Sequence, residues 1–369
     1  MQVSQSQAGT CGNAFQTRLL LQQKSWQRGY FVFYFRCFNC FASGCLIMIP
    51  ADHAYTYTQT LMGTPVLLKW FVHNDALAEE VFAKIKQMED ALTVNRPHSE
   101  IMDINRAAGR HPVRVSPVVF KLIQRARDAS VLEGSCFNLA IGPVVKRWKI
   151  GFQGNTVPSA DEIKTLLALT DPHQVILNPE DHSVFLEKSG MEIDLGAIAK
   201  GYIADIVKDF LYRHGIRHAL INLGGNVQTL GAPQTGPCKH WSVGLQKPFT
   251  ERGELIGIIN VVDKSVVTSG IYERYFIAGE ILYHHIFDPR TGFPLDNELL
   301  SVTVISDASI DGEIYTTLLY GMGVEKGISF LSSLPDIEAV FVTRDRKIIL
   351  SSHRQFTFAL LDPHYTLEG

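Results

Sequence analysis

The apolar positions of the chain follow two rhythms. Thr64–Val72 (TPVLLKWFV) is an apolar run of strand length, and Ala219–Leu223, Ile256–Val262 and Glu338–Thr343 read the same way. Val81, Phe82, Ile85, Met88 and Leu92 instead recur at helical intervals. They predict a helix from Asp75, as its cap, through about Val94. Ser116 before Pro117 sets an N-cap ahead of a proline at the first helical position, and that helix is expected to reach Gly134. Ser159-Ala-Asp-Glu162 is a capping box that opens another helix. Ser183–Lys188 and Met191–Leu195 alternate as the strands of a hairpin. Ala197–His214 reads as a helix that stops at Gly215, and a last helix follows Asp311. Strands and helices mix without regular βαβ alternation, so the expected class is α+β, not a doubly wound sheet.

Composition narrows the function classes. The 369 residues carry 34 basic and 37 acidic side chains, a net charge of −3, and 46% of them are apolar. That supports a packed core and excludes a disordered chain or a disulfide-dense miniprotein. The near-zero net charge provides no general field for nucleic acid, and none is expected as a partner. From residue 56 to 365 no linker, repeat or low-complexity tract interrupts the chain, which predicts a single domain there.

The first 55 residues differ. Residues 1–29 are polar, with Arg18, Lys24 and Arg28 as the only charges, and residues 30–50 are almost wholly apolar apart from Arg36. A basic flank before about 20 apolar residues predicts a signal peptide or membrane anchor. Ala42-Ser-Gly-Cys45 loosely suggests a lipoprotein cleavage site. On this reading the protein sits at the cell inner membrane, on the periplasmic side. The alternative makes Met48 the true start, residues 1–47 a non-native extension and the protein cytoplasmic. Cys37, Cys40 and Cys45 have no histidine or second cysteine pair at zinc spacing.

Four segments carry chemistry beyond packing. Asp194-Leu-Gly-Ala-Ile-Ala-Lys-Gly-Tyr202 ends a strand in a carboxylate, passes small residues and starts a helix, a setting that suits phosphate, with Lys200 one turn in. It also reads as an ordinary helix start with Asp194 as cap. Asn222-Leu-Gly-Gly-Asn226 closes an apolar strand and reads equally as a tight turn. Thr268-Ser-Gly-Ile-Tyr-Glu-Arg274 and His284-His-Ile-Phe-Asp-Pro-Arg-Thr-Gly292 bring hydroxyls, imidazoles and guanidinium groups that could converge on a phosphorylated ligand. The adjacent histidines point to opposite faces if they lie on a strand, so only one is expected to face a site. In Asp307–Thr317, Glu313 and Thr317 share a helical face whose oxygens suit a hard cation such as Mg²⁺. No G-x-G-x-x-G opens a helix after a strand, which disfavours a Rossmann oxidoreductase.

Together and in this order, the segments resemble the FAD:protein FMN transferases, the ApbE family, over roughly residues 60–345. The resemblance also includes Met62-Gly-Thr64, Ser99–Asn105, Ser135–Pro143 and Trp148. It implies a single α+β domain related to the T-fold, with mixed sheets, packed helices and FAD in a cleft. It further implies Mg²⁺-dependent transfer of the FMN moiety of FAD to a threonine or serine hydroxyl of a flavoprotein subunit of a redox complex, releasing AMP. Carried over by position, Met62, Cys136, Phe137, Asn138, Asp194, Lys200 and Ile271 line the FAD site. Ala197, Glu313 and Thr317 hold the metal, and His285 with Thr268, Ser269 and Gly270 lies near the reacting phosphorus. His285 or a metal-adjacent carboxylate is the expected general base. Three positions depart from the family pattern. Glu313 stands for aspartate, with Asp311 as a nearby compensator; Asn138 stands for aspartate; and Asn95 stands for a tyrosine. Two alternatives stay open: an FAD pyrophosphatase, which shares the site but uses water as the nucleophile, and a non-catalytic flavin-binding protein, for which the changes at Glu313 and Asn138 are the argument.

Overall fold

The computed structural model describes residues 54–152, 154–234, 239–352 and 354–368. The apolar run of residues 30–50 therefore lies outside the described residues. No helix among those described is long and apolar enough to cross a membrane. The first half of the chain runs β1 (Tyr55–Leu61), β2 (Thr64–Trp70), α1 (Asp75–Leu92), α2 (Glu100–Ala107), β3 (Val113–Arg114), α3 (Pro117–Ser130), α4 (Gly142–Trp148), α5 (Ala160–Leu167), β4 (Val175–Asn178) and β5 (Ser183–Leu186). Then come α6 (Ala199–Arg213), β6 (Ala219–Leu223), β7 (Asn226–Leu230), β8 (Trp241–Gln246), β9 (Leu255–Val261), β10 (Ser265–Gly270), β11 (Tyr275–Ala278) and β12 (Ile281–His284). The chain closes with β13 (Leu299–Ser306), α7 (Ser309–Leu331), β14 (Glu338–Thr343), β15 (Lys347–Leu350), β16 (Thr357–Leu360) and β17 (Thr366–Glu368).

The class is α+β. A nine-stranded sheet runs in the order β1-β2-β6-β7-β10-β13-β14-β15-β17, antiparallel except at its last pair. Smaller sheets are β16-β9-β8, β3-β5-β4 and the hairpin β11-β12. One face of the large sheet is covered by α1, α6 and α7. The other packs on the β16-β9-β8 sheet through Val227, Val266, Ile305, Val340 and Ile259. Alternation along β10 makes the division visible. Val267 lies against α7 at Gly312, whereas Val266 joins the core of the opposite face.

Two short hairpin turns meet at one end of this sheet. Met62-Gly63 joins β1 to β2 and Gly224-Gly225 joins β6 to β7, all four with positive φ, as two-residue hairpin loops require. A side chain at Gly224 would meet the Thr64 hydroxyl at 2.1 Å, so glycine is needed there for approach as well as for conformation. The start of α7 lies near this end, where Asn226 of β7 bonds to Ser309 and Glu313, and the start of α6 packs on it at Gly201.

Several local expectations shift. The α1 cap is Asn74, whose side chain accepts the Leu77 N–H at 3.0 Å, so Asp75 is the first helical residue. Ser116 holds the cap position of α3, but its hydroxyl donates to Glu100 (2.9 Å) and the helix ends at Ser130. Met191–Leu195 forms no strand. Asp194 N–H donates to Leu139 O, while the Asn105 side chain both donates to and accepts from the Ile193 backbone, at 3.0 and 2.8 Å. An amide side chain thus replaces a neighbouring strand, and β5 pairs with β4 instead. The 191–195 alternation reports burial, which needs no ladder.

Candidate functional site

The site is built where α6 meets α7. Gly201 allows the crossing, because a Cβ there would lie 2.5 Å from Ser309 O and 2.7 Å from Glu313 Cγ. The two helices cap one another. Asp205, on α6, accepts the backbone N–H groups of Ser309 (2.8 Å) and Ile310 (2.9 Å) at the start of α7. Glu313, on α7, accepts the Gly201 N–H in the first turn of α6, a helix that begins without a side-chain cap of its own. Each carboxylate therefore sits where backbone donors are otherwise orphaned.

Glu313 is buried, and desolvation pushes its carboxyl above the ordinary glutamate range, against the Lys200 charge, the Asn226 amide and the Gly201 N–H. Asn226 Nδ2 donates to Glu313 Oε1 at 2.8 Å, and Ser309 Oγ donates to Asn226 Oδ1 at 2.7 Å. Thr317 Oγ1 donates to Glu313 O at 3.3 Å, and Thr316 Oγ1 to the same carbonyl at 3.0 Å. Ser269 Oγ reaches Thr316 Oγ1 at 2.9 Å and ties β10 to this turn. Asp311 points elsewhere and pairs with Arg125 at 2.6 Å. Two residues along a helix turn by about 200°, so it does not compensate at Glu313's position.

Two cations act on this carboxylate and the groups beside it. Lys200 acts on both Glu313 and His285, and Arg274 acts on both Asp194 and His285. His285 Nδ1 lies 3.1 Å from Arg274 O, and since a carbonyl only accepts, Nδ1 carries the proton and Nε2 is left as the acceptor. Burial first, then the Arg274 charge, lowers the His285 pKa to about 3. Asp194 accepts the Gly196 N–H at 2.7 Å and holds the turn on which Ala197 is exposed, while burial raises its pKa against the Arg274 charge. The buried His284 has the other role. Its Nε2 donates to Leu295 O (2.8 Å) and its Nδ1 accepts from Ile286 N (3.3 Å), so only the neutral ring satisfies both.

Burial lowers the His284 pKa to about 4. The unfolded chain then takes up a proton between pH 6.5 and 4 that the folded chain refuses. This stabilisation is complete above pH 6.5 and is lost as pH falls towards 4. Subtracting the unfolding free energy of His284→Asn from that of wild type, across this window, isolates the group. The difference is expected to shrink by about 3 kcal/mol on acidification. A pH-independent difference would rule out a neutral, buried His284.

The remaining expected residues divide. Glu313, Thr317 and Gly321 share one face of α7. A Cβ at Gly321 would meet Cys136 Sγ at 2.1 Å, so the Cys136–Asn138 loop packs some two turns, roughly 12 Å, along α7 from Glu313. Phe137 and Asn138 line a cavity of about 270 Å³ with Thr170, Asp171 and Arg290. Asn138 Nδ2 donates to Thr170 O (2.8 Å) and its Oδ1 accepts from Ala140 N (2.8 Å). Aspartate could not supply that donor. Met62 is half-buried in its turn. Ile271 is buried, and its N–H pairs with Leu300 O. Thr268 faces away from Ser269 and bonds to Thr303 at 2.8 Å, on the far face of the sheet. Gly270 abuts the Tyr272 ring. Asn95 uses its N–H on the Thr93 hydroxyl. The pattern of residue types did not reveal Asn226, Asp205, Ser309 and Thr316 as a linked set, although Asn226 ends the Asn222–Asn226 segment.

Lysine, arginine and histidine that act on a buried carboxylate and its neighbours define the class: an α+β protein whose site suits a phosphorylated ligand. The chain belongs to the ApbE family, whose model matches residues 62–341. It is 56% identical to the FAD:protein FMN transferase of Klebsiella pneumoniae (strain 342), over 85% of this chain and 97% of that relative. It is 36% identical to the protein of the same name from Treponema pallidum (strain Nichols), over 79% and 84%. The fold resembles the crystal structure of the ApbE protein from Thermotoga maritima, with TM-score 0.70, 27% identity, and 79% and 94% of the two chains covered. The chain is thus an enzyme of the transferase class that these relatives represent.

Proposed function

We propose that the chain moves the FMN half of FAD onto a threonine or serine hydroxyl of a flavoprotein subunit of a redox complex, with Mg²⁺, releasing AMP. The observation that carries this reading is that Lys200 acts on both Glu313 and His285, that His285 bonds to the Arg274 carbonyl, and that Thr317 stands one helical turn from Glu313. That donor set fits a hard cation. Glu313 keeps carboxylate lone pairs beyond the Asn226 and Gly201 bonds, Thr317 adds a hydroxyl, and Ala197 can add a carbonyl, leaving room for substrate oxygens. Bound there, Mg²⁺ would supply charge neutralisation at the phosphates.

The chain's own residues do the rest. Lys200 and Arg274 offset the diphosphate charge. That same charge offsets the field depressing His285, so its basicity rises when substrate binds. The protein hydroxyl attacks the FMN-side phosphorus and its proton passes to His285 Nε2. The P–O–P bridge breaks and AMP leaves. The basic flank and apolar length of residues 1–50 support tethering at the inner membrane, on the periplasmic side.

The test is to incubate the full chain with FAD, Mg²⁺ and a threonine-bearing flavin-acceptor domain, then take the acceptor's intact mass. The expected result is a gain of one FMN unit that disappears without Mg²⁺. AMP and free FMN over an unmodified acceptor would instead establish the hydrolase. Bound but unchanged FAD would establish a binder.

A further inference from the structure

Glu313 sits in a mould made by three other side chains and one missing one. The absent Gly201 side chain leaves room for its Cγ, at 2.7 Å from where a Cβ would stand. Asn226 Nδ2 meets its Oε1 at 2.8 Å. The amide presents nitrogen on that side because the Glu313 carboxylate accepts there, and Ser309 Oγ donates to the Asn226 Oδ1 left on the other side at 2.7 Å. Ser309 is in turn pinned through its N–H by Asp205 at 2.8 Å. An aspartate at 313 would withdraw the carboxylate by about 1.5 Å, one carbon–carbon bond, and leave the Asn226 donor buried and unmet.

We propose that Asn226, oriented by Ser309 and Asp205, is a positioning residue that aims the Glu313 carboxylate at the divalent ion, and that this mould demands glutamate at 313. The inference rests on the metal reading given above. Asn226 takes one carboxylate oxygen, Oε1, and so fixes the rotation of the group that carries the other. Outer partners of this kind typically change ion affinity about 10–100-fold. Both Glu313→Asp, which retains the charge, and Asn226→Ala, which retains the ligand, therefore spoil the same alignment.

Mn²⁺ serves as the probe, with free ion read by electron paramagnetic resonance on the full chain in the presence of FAD. FAD affinity without ion is followed by flavin fluorescence. Glu313→Asp and Asn226→Ala are each expected to weaken Mn²⁺ binding at least about tenfold while FAD affinity without ion stays within about twofold. The double variant should bind no worse than the weaker single one, because both changes break one contact. Ser309→Ala removes a single hydroxyl and should weaken Mn²⁺ in the same direction, which keeps the test available if Asn226→Ala does not fold. Mn²⁺ held by Glu313→Asp as tightly as by wild type would overturn the proposal, as would a double variant showing the product of the single losses. Failure of wild type itself to bind Mn²⁺ with FAD would overturn the metal reading beneath it.

Discussion

Glu313→Ala is expected to lower Mg²⁺-dependent FMN transfer by about 10²–10³-fold, the scale of several kcal/mol of charge stabilisation at a phosphoryl group. The melting temperature should move little, because two opposing effects of similar size are involved. Removing the side chain leaves the Asn226 amide and the Gly201 N–H without their acceptor, at about 1–3 kcal/mol. It also relieves the desolvation of a buried carboxylate, the leading cause of its raised pKa. Glu313→Gln separates charge from shape, since it keeps an acceptor for Asn226 and loses only the anion. Acceptor mass labelling at several Mg²⁺ concentrations, alongside thermal melts, reads both effects. Normal transfer by a folded Glu313→Ala variant would remove it from the metal set.

Trp148→Ala is expected to cost about 3–5 kcal/mol of stability, the largest single loss among the changes considered. The indole is fully buried at the end of α4, among the rings of Phe276, Tyr283, Phe287 and Phe293. Its Nε1 donates to Gly292 O at 2.8 Å. That bond holds the turn in which Asp288 accepts from Arg290 through N–H and guanidinium at 2.9–3.0 Å, and from Gly292 N through its carbonyl at 2.7 Å. The same turn follows directly from His285. Loss of the indole should therefore loosen His285 as well as the core, and transfer should fall further than the unfolded fraction accounts for. Denaturant unfolding gives the first quantity, and transfer per folded molecule gives the second. A loss below about 1 kcal/mol would mean that the aromatic cluster closes over the gap.

The legible parts of this protein are those whose signal is local. Ala219–Leu223 and Glu338–Thr343 fall where their apolar runs end, and the Ser159–Glu162 capping box forms as its spacing requires. Lys200 and Glu313 were visible as candidate residues because a cation one turn into a helix, and a carboxylate with a hydroxyl four residues on, are short-range patterns. What was not legible depends on partners distant in the chain. Asp194 reads as a helix cap but binds only the Gly196 N–H of its own turn, and Asp311 reads as a spare ligand but belongs to Arg125. Thr268 and Ser269 are neighbours whose faces could not be assigned until β10 was seated between β7 and β13.

By itself, then, the sequence determined the α+β class, five of the helices and five of the strands, and it offered the residue types of the candidate site, because backbone propensity and side-chain period act over a few residues. Only the tertiary structure decided that Asp205 and Glu313 cap each other's helices, that Asn105 stands in for a strand, and that Asn226 bonds the Glu313 carboxylate. Each of these satisfies a buried polar group with a partner that is far away in sequence or on another element. Hydrogen-bond satisfaction is demanded by burial, and burial is a property of the whole fold.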